Sequence, residues 1–343
     1  MSNKVVSIIT PSFNRAYIVH ETAASIFNQT YPHWEWMIVD DGSTDESMEV
    51  LSAYAQKDSR VKVLQRDREP KGACACRNIA IENATGDYLI FLDTDDVLAP
   101  YCLQQRVNAM EKDADCDFII FPMLLFSKKL DDLNLLWNIE TGEDDLVRIL
   151  KGDAICQGTG TLWKKSKFVE IGMWHEELKL WQDIELHIRS LLWPVKFKKR
   201  MDLLPDVFLR VSDDSLSRVG YNALPKIQSR VKVLTYTCQR MIELDLLQKY
   251  KAGVRVMANS IIIAAIKGGH YTEATNTINY CSSINLYSNR EVKLMRNYLA
   301  SAQFKLSRIP YINNYFNKKI ESIVPVAEEN IGKHKLQLNK TFQ

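Results

Sequence analysis

Four short apolar runs set the limits on this chain's architecture: Val5 to Ile9, Trp34 to Val39, Val61 to Leu64 and Tyr88 to Leu92. Each is short and reads as a strand, with β-branched or aromatic residues among its apolar positions. Between them lie stretches with helical character. One runs from about Ala16 to Gln29, with Tyr17, Ala24 and Phe27 among its apolar positions. A second continues to about Gln56 from a capping box of Ser43 and Glu46, and a third spans Cys74 to Asn83. Phe118 to Phe121 supplies a fifth strand. Such alternation predicts an α/β fold with a largely parallel sheet flanked by helices.

In sheets of this kind ligands collect beyond the carboxyl ends of the strands. Three of those ends carry polar clusters: Thr10-Pro11-Ser12-Phe13-Asn14, Asp40-Asp41-Gly42-Ser43 and Asp93-Thr94-Asp95-Asp96. They are expected to share one crevice. The third poses an electrostatic problem, because carboxylates packed so closely repel and raise one another's pKa. Helix caps, water or a cation must absorb the charge. An Asp-x-Asp after a buried strand suits Mg²⁺ or Mn²⁺, since hard cations take carboxylate oxygens and share their remaining positions with phosphates.

Composition removes other classes. With 46% hydrophobic and 25% charged residues, the 343-residue chain can bury a sizeable core and is not expected to be disordered. No apolar stretch reaches the roughly 18 residues of a membrane span. Met1 to Lys4 leads straight into a strand without a signal-peptide core. Seven cysteines, scattered except for Cys74 and Cys76, suggest neither a disulfide framework nor a zinc ribbon, so a reducing, cytoplasmic compartment is expected. The charge is uneven. Residues 1–220 hold 26 Lys and Arg against 35 Asp and Glu, whereas 221–343 hold 18 against 7. We expect a domain over 1–220 and a basic, mostly helical region over 221–343. In the latter, Ile227, Val231, Leu234, Cys238 and Met241 recur at helical spacing, Gly268-Gly269 breaks a helix, and further helices span 271–283 and 288–304. From Ile331 the chain reads as a frayed tail.

Four ordered stretches carry a family resemblance: "VSIITPSFNR" (6–15), "MIVDDGSTDES" (37–47), "CRNIAIENATGDYLIFLDTDD" (76–96) and "GMWHEELKLWQDIELHIR" (172–189). Over roughly residues 4–215 the chain resembles the family 2 inverting glycosyltransferases of the GT-A, Rossmann-like fold. That resemblance implies transfer of a sugar from a nucleotide-diphosphate donor, with a UDP-sugar favoured, to a hydroxyl of a glycan or lipid-linked acceptor in cell-surface polysaccharide synthesis. It implies a divalent metal, Mn²⁺ or Mg²⁺, on Asp93 and Asp95. It places the nucleotide-sugar against Pro11, Phe13, Asp40, Arg77, Asp93 and Thr94, with Asp40 accepting the uracil imide N–H from an exposed crevice. Asp183 becomes the general base, a role compatible with capping the helix Ile184 to Leu191; Glu185 and Glu177 are next in line.

Two positions depart from the family pattern. Gln182 stands where an acidic neighbour of the base is usual, and Ser212 where relatives often place a histidine. The alternative is therefore a sugar-nucleotide-binding relative without turnover. His175 and His187 are not offered as substitute ligands. Nucleic acid is not an expected partner. Lys305, Arg308, Lys318 and Lys319, interleaved with Tyr311, Tyr315 and Phe316, suit an anionic membrane surface at the inner face. A homo-oligomer contact competes for the C-terminal helices.

Overall fold

The computed structural model describes residues 3–211, 220–306, 309–323 and 332–336. In chain order its first half runs β1 (Val6–Ser12), α1 (Val19–Phe27), β2 (Trp34–Asp40), α2 (Ser47–Lys57), β3 (Val61–Gln65), α3 (Ala73–Asn83), β4 (Tyr88–Phe91), β5 (Val97–Leu98), α4 (Cys102–Lys112), β6 (Phe118–Ile120), β7 (Met123–Phe126) and β8 (Leu135–Leu136). It continues through α5 (Asp145–Leu150), a 3₁₀ turn at Gly158–Gly160, β9 (Thr161–Lys164), α6 (Lys165–Glu170), α7 (Gln182–Leu191), β10 (Phe197–Lys199) and β11 (Val207–Arg210). Helices α8 (Leu224–Glu243), α9 (Leu247–Lys267), α10 (Tyr271–Ser283), α11 (Asn289–Gln303) and α12 (Pro310–Glu321) precede a short β12 (His334–Lys335).

The main sheet has the order β10-β6-β9-β4-β1-β2-β3. Strands β1, β2, β3 and β4 pair in parallel, as do β10 and β6, while β9 runs antiparallel to both its neighbours. The mostly parallel α/β architecture is therefore present as expected. From β1 the chain steps to β2 and β3 on one side and returns to β4 on the other, which makes the β1/β4 boundary a topological switch point. The carboxyl ends of β4, β1 and β2 lie side by side there, so the three polar clusters do meet.

Strands β1, β2 and β4 are almost wholly buried, which explains why their near-continuous apolar runs were legible. Helix α1 docks through Val19, Ala23 and Ile26, leaving Tyr17, Ala24 and Phe27 exposed. The expected capping box is corrected: Ser43 turns to Asp40, and α2 begins at Ser47 with no side-chain cap. Ser288 and Glu291 do form a capping box, on α11. A second sheet, β12-β8-β7-β11-β5, stands beside the first, and its β5 follows directly on Asp93 to Asp96. The frayed tail is also corrected in part, because His334 and Lys335 pair antiparallel with β8. Helix α8 packs on α7 and α9 on α5, so buried apolar side chains continue from Val6 to Ile320.

Candidate active site

The loop after β1 and the turn after β2 are stitched together. Asn14, held at φ 53°, accepts the Thr44 N–H at 2.8 Å, and its own N–H donates to Ser43 Oγ at 2.8 Å. Asp40 ends β2 fully buried, and Oδ2 accepts the Gly42 and Ser43 N–H groups at 2.9 and 2.8 Å while Ser43 Oγ donates to Oδ1. The exposure expected for Asp40 is corrected: its carboxylate is the cap of its own turn, which Gly42 completes at φ 84°. The adjacent Asp41, given no separate role in the sequence, accepts Arg66 Nε at 2.5 Å and the Gly72 N–H at 3.3 Å, tying β2 to the start of α3. The doublet was its signal, since neighbours at a strand end face opposite ways. Phe13 is exposed, and Lys71 Nζ lies 3.8 Å from its ring centroid. Pro11 is half-buried in β1, opposite Val39.

Helix α3 delivers Arg77 to the end of β4. Its NH2 donates to Asp93 Oδ1 at 2.6 Å, its guanidinium lies 4.9 Å from the Trp174 ring centroid, and its Nε has no hydrogen-bond partner among the described residues. Asp93 keeps its side chain 45% exposed, so this pair opens onto the crevice. Thr94 is buried beneath it. Burial, then the charge of Asp93, pushes the Asp95 carboxyl above its ordinary range, against Arg15 and Arg210. Asp96 is buried, accepts the Arg210 N–H at 3.0 Å, and is pushed well up by burial and then by Asp95 and Asp93. Among the described residues no group of three or more His, Cys, Asp or Glu side chains could hold a metal alone. The donor set still fits a hard divalent cation: Asp93 and Asp95 are two half-exposed carboxylates whose mutual repulsion a cation relieves, with its other positions left for ligand oxygens.

Asp183 enters the same electrostatic neighbourhood from α7. Trp181, in the left-handed region at φ 63°, precedes the helix, which begins at Gln182. Asp183 is therefore in the first turn, and its expected place as the helix cap is corrected. Its Oδ1 accepts the Gly158 N–H at 2.6 Å. Burial raises its pKa, Arg77 and the Gly158 N–H oppose that, and Asp93 adds to it. Arg77 thus serves both carboxylates. Gly158 was missed in the sequence, where only the pair of glycines in "QGTG" marks a tight backbone approach. A Cβ there would lie 3.3 Å from Asp183 Oδ1, Phe91 Cβ and Trp174 Cη2.

The fallback carboxylates are committed elsewhere. Glu185 is buried against Arg189 and His175, and Glu177 pairs with Lys232 and the Tyr236 hydroxyl. Gln182 turns back to donate to the Leu178 carbonyl at 2.8 Å. His187 is buried against Cys156 Sγ at 3.2 Å, and burial takes its pKa down to about 4. Ser212 lies outside the described residues, as does Arg308.

Residues 7–172 match the model of the family described as Glycosyl transferase family 2. An uncharacterized glycosyltransferase of Haemophilus influenzae is 36% identical over 147 residues, 40% of this chain and 58% of that protein. The UDP-Glc:alpha-D-GlcNAc-diphosphoundecaprenol beta-1,3-glucosyltransferase WfgD of Escherichia coli is 35% identical over 112 residues, 33% of this chain and 43% of that one. The chain thus spans about half the length of these curated relatives. Among solved structures, S. aureus TarS 1-349 in complex with UDP-GlcNAc superposes with a TM-score of 0.63 at 18% identity, covering 93% of this chain and 91% of that one. The fold is GT-A, and the likeness extends through the C-terminal helices.

Proposed function

We propose, from the match of residues 7–172 to the glycosyl transferase family 2 model, that this chain is a member of that family and an inverting glycosyltransferase that moves a sugar from a nucleotide diphosphate to a hydroxyl acceptor. The observation that carries this reading is the arrangement at the switch point, where Arg77 holds Asp93 at 2.6 Å and its charge opposes the rise in the Asp183 pKa that burial causes. A single displacement needs an anion-binding side and a base on opposite faces of the anomeric carbon. Arg77 meets the diphosphate, and Asp183 takes the acceptor proton as the hydroxyl oxygen attacks. Asp183 suits the task because burial raises its proton affinity while the Gly158 N–H fixes one oxygen. Asp93 and Asp95 would hold a divalent cation, which supplies Lewis-acid stabilisation of the charge on the departing diphosphate. Asp40 acts by holding the Gly42-Ser43 turn, Phe13 offers a ring face to the base, and Pro11 and Thr94 shape the crevice wall.

A UDP-sugar is the favoured donor. TarS, whose fold this chain shares, is described in complexes with UDP-GlcNAc and with UDP. WfgD, by name, glucosylates a diphosphoundecaprenol-linked GlcNAc, which supports a glycan or lipid-linked acceptor. Among the described residues no helix is long and apolar enough to cross a membrane. A peripheral contact is supported instead by residues 292–320, which carry six Lys or Arg and no Asp or Glu. Phe304, Leu306, Ile309, Tyr311 and Tyr315 are exposed in that stretch, a basic and apolar surface complementary to anionic lipid on the cytoplasmic side. In the same reading residues 1–220 form the catalytic domain and 221–343 the acceptor-side region.

One observation favours a second reading, a nucleotide-sugar binder without turnover: Gln182 occupies the place of an acidic neighbour and its amide is spent on the Leu178 carbonyl. A screen of nucleotide sugars with Mn²⁺, scored by thermal shift and by released nucleotide, separates the two. Binding with release supports the transferase, whereas binding without release under any donor supports the binder.

A further inference from the structure

The 3₁₀ turn that presents the Gly158 N–H is itself held from beneath by a fully buried ion pair. Arg106, on α4, pairs with Asp206 at the entry to β11 through Nε at 3.0 Å and NH2 at 2.7 Å. Both side chains are 0% exposed. The third nitrogen, NH1, donates to the Thr159 carbonyl at 2.8 Å, within the turn, and to the Thr161 carbonyl at 3.0 Å, just after it. Thr161 Oγ donates to the Gly158 carbonyl at 2.7 Å, so the glycine is gripped from the next residues along. The same pair reaches the acidic cluster, because the Asp206 carbonyl accepts the Ala99 N–H at 2.9 Å, immediately after β5.

A buried ion pair is a costly way to gain stability, since desolvation offsets most of the attraction. Its geometry here does something an apolar pair cannot. A planar guanidinium fork fixes one carboxylate and two backbone carbonyls together, and so fixes where the Gly158 N–H points. We infer that Arg106, clamped by Asp206, is a positioning residue that sets the orientation of Asp183 through the Gly158 turn. This rests on the reading of Asp183 as the base. Arg106 touches neither donor nor acceptor, so its loss acts on the chemical step and leaves donor affinity alone.

Two variants test it, with UDP-glucose and UDP-N-acetylglucosamine as probes and released UDP as the readout. Arg106→Lys keeps a cation opposite Asp206 but has no fork to span the carboxylate and both carbonyls. Arg106→Met combined with Asp206→Leu removes both charges at once, a change that buried pairs often tolerate. The expected result in each is a donor KM within about twofold of the parent and a kcat lower by about 10- to 100-fold per folded molecule, the scale of a small misplacement at a reacting centre. A kcat per folded molecule within twofold of the parent overturns the inference, as does a loss confined to KM. Asp183→Asn is measured beside them. If it is inactive while Arg106→Lys is unaffected, only the positioning role falls; if Asp183→Asn turns over normally, the reading of Asp183 falls first.

Discussion

The Gly158 N–H meets Asp183 Oδ1 at 2.6 Å, and the position tolerates no side chain without movement: a Cβ would sit 3.3 Å from that oxygen, from Phe91 Cβ and from Trp174 Cη2. Phe91 and Trp174 are buried, so the carboxylate is the neighbour that can give way. Gly158→Ala should therefore displace Asp183 by a few tenths of an ångström. We expect kcat to fall about tenfold with donor KM little changed, and steady-state kinetics on a folded variant checks it.

Asp183→Asn keeps the shape and can still accept the Gly158 N–H, but it cannot take a proton. Donor binding should persist while transfer drops about 10²-fold or more. In the parent, burial raises the Asp183 pKa, so the acid limb of transfer should lie above the range of an ordinary aspartate. Activity is lost as pH falls through that raised value and the base becomes protonated. Loss of donor binding in Asp183→Asn would instead assign the residue to the donor side.

Asp95→Asn acts on the other half of the site. Removing one of two mutually repelling carboxylates should relieve Asp93 and Asp96 electrostatically, yet leave only Asp93 as a charged donor to a cation. Calorimetric titration of Mn²⁺ with UDP should show metal-dependent nucleotide binding weakened, with melting of the ligand-free protein unchanged or higher. Undiminished metal-dependent binding would remove Asp95 from that role.

His187 predicts a pH dependence of stability. Its pKa falls from 6.5 to about 4 on burial, so the folded state disfavours the proton that the unfolded chain accepts. Its contribution is fully present above pH 6.5 and is lost as pH falls from there through 4. At the low end the loss approaches about 3 kcal/mol. Urea midpoints for the parent and His187→Gln at pH 7 and pH 4.5 should converge as the pH drops; parallel curves would count against it.

Exposed Phe304, Leu306, Ile309, Tyr311 and Tyr315, with Lys305, Lys318 and Lys319, should draw the protein to anionic vesicles. Co-sedimentation at low salt is expected to exceed that with neutral vesicles, and Tyr311→Ser with Tyr315→Ser should reduce it several-fold. Equal recovery on both vesicle types excludes a lipid surface, and a larger species in light scattering without lipid would assign the patch to self-association.

What could be read in the sequence was what neighbours in the chain decide. The apolar runs of β1, β2 and β4 are buried on both faces, so composition alone marked them to within about three residues. Helix α10 was placed at its observed limits because its breakers, Gly269 before it and Asn285 after it, are local. The position of a polar cluster was legible where a strand end carries its own, as with Asp93 and Asp95 just after β4. Elsewhere the outcome depended on partners far along the chain. Asp40 looks like an open acceptor until Ser43 folds back on it, and nothing near Gly158 states that Asp183 will arrive from 25 residues later. The buried face of α1 was not legible, because Thr22 and Ser25 are buried with their hydroxyls bonded to carbonyls, which a count of apolar positions ignores.

The pairing of His334 and Lys335 with Leu136 and Leu135 joins segments about two hundred residues apart by a rung of only two residues a side. Closing so long a loop is entropically expensive and the reward is small, so this rung should be the last part of the second sheet to gain protection from amide exchange during folding. In the native protein it should also be among the first to open, a fraying edge whose release leaves β7 and β11 paired.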